Sequence, residues 1–110
     1  MTKVGEHITL DIIGTTKEYD SSVFEKVINE IAKAANVTIL NISKYKFEPQ
    51  GFTLVALLAE SHISFHTFPE HGIISFDFFT CGKVSPSVAL DVIKNEIKCK
   101  RIAFWILMHF

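Results

Sequence analysis

Two segments with helical periodicity interrupt an otherwise strand-like sequence, and this arrangement constrains the fold more than any other feature. Apolar residues recur at helical spacing in residues 24–35 and again in residues 88–97. The rest of the chain consists largely of strand-length apolar runs, so the predicted order is β-α-β-β-β-β-α-β. Isolated helices between groups of strands favour an α+β two-layer sandwich, in which one antiparallel sheet has two helices on one face.

The predicted helix ends have capping signals. Asp20, Ser21 and Ser22 offer side-chain oxygens to the start of the first helix, and Asn36 readily adopts the left-handed conformation in which many helices end. Ser85 followed by Pro86 predicts the N-cap and first position of the second helix, because proline tolerates the missing N–H there.

Three features of the predicted strands go beyond simple alternation. In residues 38–47 the apolar positions change parity, which predicts a β-bulge near Ser43 and Lys44. Residues 52–59 are apolar almost without a break, which predicts a central strand buried on both faces. Residues 63–67 and 73–79 flank a turn that contains proline and glycine, and they predict a hairpin-like pair.

Length and charge exclude several classes of protein. At 110 residues the chain is long enough for one domain with a real core, so we expect a single domain over residues 1–110. The formal net charge is −1 and no run of like charges occurs, which argues against nucleic acid or a membrane as a partner. The apolar runs are too short to cross a bilayer.

The cysteines indicate a reducing compartment, and the spacing of cysteines and histidines does not match a structural zinc site. The chain contains 2 cysteines, and its N-terminus has no export signal, so we expect free thiols in a reducing, cytoplasmic compartment. No Cys/His spacing suits a structural zinc site, and no Gly-rich loop suits a phosphate. We therefore expect no metal.

Most side chains that could take part in chemistry lie between residues 60 and 82. Four short groups occur there: Glu60-Ser61-His62, His66-Thr67, Pro69-Glu70 and Thr80-Cys81-Gly82. A hydroxyl, imidazoles, carboxylates and a thiol suit acid–base or covalent chemistry, although spacing alone does not choose between them. His66 lies an odd number of residues after Ser61, which places the two on opposite faces of an unbroken strand. If both serve one site, we expect Ser61 in a turn before the strand.

In this order and spacing, the four groups closely resemble the bacterial and archaeal S-adenosylmethionine decarboxylase family, with its E-S-H-x-x-x-H-T-x-P-E segment. The main resemblance covers residues 51–82, and a weaker one extends from residue 5 to residue 101. It implies the same α+β architecture and a self-processing enzyme that supplies decarboxylated S-adenosylmethionine for spermidine synthesis. It also implies a homodimer with active sites at the interface.

The resemblance implies that the cofactor is made from the chain itself. Ser61 attacks the carbonyl of Glu60, and the chain is cut there into residues 1–60 and 61–110. Ser61 becomes a covalent pyruvoyl group, which forms a Schiff base with the substrate amine and acts as an electron sink. His66 promotes elimination during processing. Cys81 assists processing and later donates a proton to the product, whereas His62 is given no clear role.

The resemblance also implies the substrate-binding residues. Glu70 accepts hydrogen bonds from the ribose hydroxyls of S-adenosylmethionine, and Phe47 stacks near its adenine. Thr53 stands where family members often have serine near the substrate, which leaves the exact substrate open. The alternatives are a pyruvoyl-dependent decarboxylase of arginine or ornithine and an unprocessed homologue with a regulatory role.

Overall fold

The computed structural model describes residues 2–15, 19–81 and 83–110. The described part of the chain follows the predicted order of elements. These are β1 (Gly5–Ile13), α1 (Ser21–Ala35), β2 (Ile39–Lys46), β3 (Phe52–Leu58), β4 (Ser61–Phe68), the 3-10 helix Pro69–His71, β5 (Ile73–Thr80), α2 (Val88–Glu96) and β6 (Arg101–His109).

The strands form one sheet of six in the order β2-β3-β4-β5-β1-β6, and all neighbouring pairs are antiparallel. β2 to β5 follow each other along the chain, whereas β1 lies between β5 and β6. Both helices pack on one face of this sheet. The predicted two-layer α+β sandwich is therefore confirmed, including the hairpin of β4 and β5.

The sheet face under the helices, called here the covered face, forms the core. α1 presents Phe24 to this face, where its ring lies 4.8 Å from that of Phe65, which in turn lies 4.8 Å from that of Phe76. Burying each such ring stabilises the fold by about 1.5–3 kcal/mol. The core residues of the strands alternate along the chain and are Ile8, Leu10, Ile12, Leu54, Ala56, Leu58, Ile63, Phe65, Ile74, Phe76 and Phe78.

The opposite side of the sheet, called here the open face, has no helix against it in the described chain. Its residues alternate with those of the core and include several large apolar side chains. Val55 and Leu57 of β3 are 40% and 54% exposed. In the single chain the prediction that this strand is buried on both faces was wrong, because no helix of the described chain covers the open face.

The predicted bulge in β2 was wrong in position. The register of β2 against β3 shifts between Ile39 and Asn41, and pairing is regular through Ser43 and Lys44. The apolar parity changes because Tyr45 lies on the exposed edge strand and packs on an aromatic neighbour instead of on the core.

The capping of α1 is confirmed, and the start of α2 is not. The Asp20 side chain accepts a hydrogen bond from the Ser22 N–H at 2.9 Å, and Asn36 has a left-handed φ of 56°. α2 begins at Val88, not at Pro86. Pro86 lies instead in a tight turn, where its carbonyl accepts from the N–H three residues on at 3.1 Å.

Two further properties concern cysteines and membranes. Cys81 and Cys99 are both free and half-buried. Of the described helices, none combines the length and apolar character needed to cross a bilayer.

Candidate active site

The turn between β3 and β4 has a strained backbone immediately before Ser61. Only Ala59 and Glu60 separate the two strands, and Leu58 pairs with Ser61 across the turn. Glu60 has φ +63°, in the left-handed region that residues with a Cβ rarely adopt. That conformation costs about 1–2 kcal/mol. The peptide bond between Glu60 and Ser61 therefore follows directly on a strained residue.

Ser61 is the polar residue on the covered face whose presence the fold does not explain. It is 9% exposed, and among the described residues its Oγ is the one buried side-chain oxygen or nitrogen without a hydrogen-bond partner. The other buried polar residue, Thr80, donates to the Val84 carbonyl at 2.9 Å. An unsatisfied buried hydroxyl costs about 1–3 kcal/mol. The Ser61 hydroxyl thus contributes no side-chain hydrogen bond to the fold.

The structure separates Ser61 from His66. β4 runs without a bulge from Ser61 to Phe68, so the two side chains lie on opposite faces, roughly 16 Å apart along the strand. The expectation that Ser61 itself lies in a turn was wrong, because the turn ends at Glu60. His66 lies on the open face, where its Nδ1 is 3.0 Å from Thr53 Oγ1.

Cys81 lies at the same end of the sheet as Ser61. His62 pairs with Phe79 between β4 and β5, so the residue that follows Thr80 is level with the turn before Ser61. Cys81 is half-buried and has a free thiol. The neighbouring Gly82 lies outside the described residues. Glu60, Ser61 and Cys81 are called here the serine end.

The candidate substrate-binding residues gather at the opposite end. Phe47 follows β2, is 49% exposed and makes an edge-to-face contact with Tyr45 at 5.0 Å. Glu70 is exposed in the 3-10 helix, where Oε2 accepts from Gln50 Nε2 at 3.3 Å. These two residues lie at the sheet end that also holds Thr53 and His66. Phe47, Thr53, His66 and Glu70 are called here the His66 group.

Sequence reasoning missed a polar cluster on the open face. The Nε2 atoms of His7 and His62 lie 2.7 and 3.1 Å from the same Asp77 oxygen, and Ser64 donates to the other oxygen. Burial opposes ionisation of Asp77, but the hydrogen bonds from Ser64 and the two imidazoles outweigh it and hold the pKa of Asp77 below its ordinary value. Only the pairing of β1 with β5 brings His7 here, and no local sequence signal reports that pairing.

The fold and site define a class of protein: a small two-layer α+β sandwich with an unpartnered serine behind a strained hairpin turn. Comparison with known proteins makes the assignment specific. A family model described as S-adenosylmethionine decarboxylase matches residues 6–107. The chain belongs to this family.

Individual relatives agree with this assignment. The S-adenosylmethionine decarboxylase proenzyme of Methanococcus vannielii is 41% identical over 105 residues, which cover 93% of this chain and 86% of the relative. The proenzyme of Prochlorococcus marinus is 41% identical over 103 residues, with coverages of 91% and 82%.

Two solved structures are similar as well. The adenosylmethionine decarboxylase from Aquifex aeolicus has a TM-score of 0.84 and 35% identity, and the match covers 97% of this chain and 91% of that one. A monomer of the Trypanosoma brucei enzyme has a TM-score of 0.65 at 13% identity, with coverages of 92% and 45%. The second likeness concerns the fold alone.

Proposed function

We propose that this protein is an S-adenosylmethionine decarboxylase that cuts its own chain between Glu60 and Ser61. Its product is decarboxylated S-adenosylmethionine for spermidine synthesis. Family membership supports the reaction and the substrate. The observation that most directly supports self-processing is the buried, unpartnered Ser61 hydroxyl immediately after the left-handed Glu60.

In the proposed processing, the Ser61 Oγ attacks the carbonyl carbon of Glu60, and an ester replaces the peptide bond. Elimination at Ser61 then releases residues 1–60 with a C-terminal carboxylate. Hydrolysis of the remaining dehydroalanine expels ammonia and leaves a pyruvoyl group at the start of residues 61–110. Relief of backbone strain at Glu60 favours the first step, because the ester frees the residue from the turn geometry.

The residues of the serine end fit a pyruvoyl group. The group would occupy the Ser61 position and needs no donor that the fold already uses, since the serine hydroxyl has no partner there. When present, it supplies an electron sink for decarboxylation of an amino acid. Cys81, at the same end, returns a proton to the substrate carbon that loses CO₂.

Three members of the His66 group, Phe47, Thr53 and Glu70, bind the substrate in this proposal, and His66 itself promotes elimination during processing. Glu70 offers two carboxylate oxygens to vicinal ribose hydroxyls, and Phe47 offers an exposed ring for a flat base. Thr53 holds the His66 ring through the 3.0 Å hydrogen bond, which orients the imidazole. Thr53 and His66 both lie on the open face, at the sheet end that also holds Phe47 and Glu70.

The proposal includes a homodimer, because one chain does not bring its two groups of site residues together. Ser61 and His66 lie on opposite faces of one strand, roughly 16 Å apart along it. The open face also exposes large apolar side chains, including Trp105 and Leu107, each 53% exposed. A second copy against this face would bury them. We expect His66 of the partner subunit to serve the Ser61 of each chain. We also expect the protein to act in the cytoplasm.

Intact-mass measurement tests self-cleavage. The purified protein is expected to give two pieces, residues 1–60 and 61–110, and Ser61→Ala is expected to remain one full-length chain. Ser64→Ala is a matched control in the same strand and should still be cut. A wild-type chain that stays uncut after long incubation contradicts the proposal. CO₂ release measured with S-adenosylmethionine, arginine and ornithine then distinguishes the substrates.

Co-expression tests the shared site. Ser61→Ala and His66→Ala chains should each stay uncut alone, because each lacks one processing residue. In a mixed dimer, the His66→Ala chain keeps Ser61 and meets His66 of the partner subunit, so this chain is expected to be cut. Mass identifies which chain gives the fragments. If mixing produces no cut chain although mixed dimers form, each site is built within one chain.

A further inference from the structure

The polar cluster on the open face spans three neighbouring strands. His62 of β4 and His7 of β1 both pair with Phe79, which lies between them on β5. Asp77 lies two residues before Phe79 on β5 and therefore shares its face. The register thus places the two histidines on either side of Phe79, with the Asp77 carboxylate diagonally adjacent to both on the same face.

The ligand atoms of the three side chains are close enough for one small cation. His7 Nε2 and His62 Nε2 lie 2.7 and 3.1 Å from Asp77 Oδ2, and all three ligand atoms lie within 4.8 Å of one another. Nitrogen and oxygen ligands bind zinc at about 2.0–2.2 Å in tetrahedral geometry. Such ligands lie roughly 3.3 Å apart. The two imidazole–carboxylate separations are close to this value, whereas the two Nε2 atoms, up to 4.8 Å apart, must approach each other around the ion.

Neighbouring residues orient these three side chains. Ser64 hydrogen-bonds the second oxygen of Asp77 and leaves Oδ2 directed at the imidazoles. The Phe79 ring stacks on the His62 ring at an interplanar angle of 8° and meets the His7 ring at 77°. Support of this kind around metal ligands fixes their orientation and raises affinity. The side chains of His7, His62 and Asp77 are 22%, 42% and 23% exposed in the single chain, so a cation can reach them before a second copy covers the open face.

We propose that His7, His62 and Asp77 form a binding site for a divalent transition-metal cation, with water in the remaining position. Two imidazoles and one carboxylate suit Zn²⁺, Co²⁺ or Ni²⁺ rather than Mg²⁺, which prefers oxygen ligands. The bound cation links β1, β4 and β5, and it stabilises the folded state because the unfolded chain lacks the assembled site. The site lies on the face opposite to the Ser61 side chain and does not depend on self-processing.

Metal titration tests this site: the purified protein is freed of metal with a chelator and refolded with the metal present, so that the ion meets each chain before a second copy covers the open face. Zn²⁺ is expected to bind at one ion per chain and to raise the unfolding temperature. Co²⁺ is expected to give visible d–d absorption without a thiolate-to-metal charge-transfer band, because no cysteine lies among the ligands. His7→Ala and His62→Ala should abolish this signal.

Two more variants make the test specific. Ser64→Ala removes the support of Asp77 but no ligand, and it should weaken Co²⁺ binding about 10–100-fold. His71→Ala removes an exposed histidine of the 3-10 helix and should leave binding unchanged. Asp77→Asn keeps the shape of the side chain, so it tests the carboxylate if an alanine variant fails to fold. Absence of saturable binding by the wild-type protein, binding that survives loss of His7 and His62, or a thiolate signal would each overturn the proposal.

Discussion

Polar side chains have different hydrogen-bond partners on the two faces of the sheet. On the covered face the buried polar residues are Ser61 and Thr80, and Thr80 bonds to backbone carbonyls. On the open face, polar side chains bond to one another, as His66 does with Thr53. The covered face supplies most of the stability through apolar packing. Among the residues that the structure describes, the unpartnered hydroxyl of Ser61 is therefore more informative than the many polar groups opposite.

Partial exposure explains why the open face tolerates its polar cluster. Asp77 and the imidazole of His7 keep some contact with water, so each gives up only part of its hydration when they pair. A similar cluster under the helices would lose nearly all hydration. The polar groups of the open face thus have hydrogen-bond partners and partial contact with water, whereas the buried Ser61 hydroxyl has no hydrogen-bond partner.

The largest expected stability effect tests the covered face. Phe65→Ala is expected to lower the unfolding free energy by about 3–5 kcal/mol, because its ring fills the space between Phe24 and Phe76. Urea denaturation in the uncut Ser61→Ala background measures the effect. Leu57→Ala on the open face is the control and should stay within about 0.5 kcal/mol for a single copy. Equal losses at low protein concentration would contradict the distinction between the faces.

The next largest expected effect concerns the serine end of the sheet. Cys81→Ala is expected to slow decarboxylation about a hundredfold in the processed fraction, because a general acid is lost. Initial rates of CO₂ release, normalised to the amount of processed chain, provide the measurement. Cys99→Ala should behave as wild type, since Cys99 lies against the core beyond α2. An unchanged rate in Cys81→Ala would leave this thiol a packing residue.

A smaller, pH-dependent effect on stability tests the role of the Asp77 carboxylate on the open face. Asp77→Asn is expected to cost about 1–3 kcal/mol at neutral pH, because the carboxylate loses charge-assisted hydrogen bonds. The pKa of Asp77 is lower in the folded chain than its ordinary 3.8, so the unfolded chain binds more protons on acidification. The Asp77 carboxylate thus stabilises the folded chain fully above a pH of about 4, and this stabilisation is lost as the pH falls through the pKa of Asp77 in the folded chain.

Denaturation at a series of pH values, with chelator present, measures this difference between wild type and Asp77→Asn in the uncut Ser61→Ala background. Glu48→Gln, which changes an exposed acid in the turn after β2, is the control and should show a small difference that varies little with pH. If the difference in unfolding free energy between wild type and Asp77→Asn stays constant down to pH 2, the carboxylate charge does not stabilise the open face.

The sequence by itself determined the elements whose causes are local. Apolar spacing gave both helices and the order of strands, and the side chain of Asp20 and the conformation of Asn36 act within one turn of α1. Neighbouring residues also determined the candidate serine, because the motif around Ser61 is contiguous. The two faces of β3 could not be distinguished, because an apolar run does not record whether a second layer covers it.

Only the tertiary structure decided which distant residues meet. Odd spacing implied opposite faces for Ser61 and His66 in an unbroken strand, but the pairing of β3 with β4 was needed to establish that the strand is unbroken. His7 reaches Asp77 across 70 positions because β1 inserts beside β5, and its neighbours in sequence contain no trace of that pairing. Periodicity depends on adjacent residues, whereas strand order depends on the free energy of the whole sheet. The layers could therefore be predicted from the sequence, but the arrangement of the site residues required the structure.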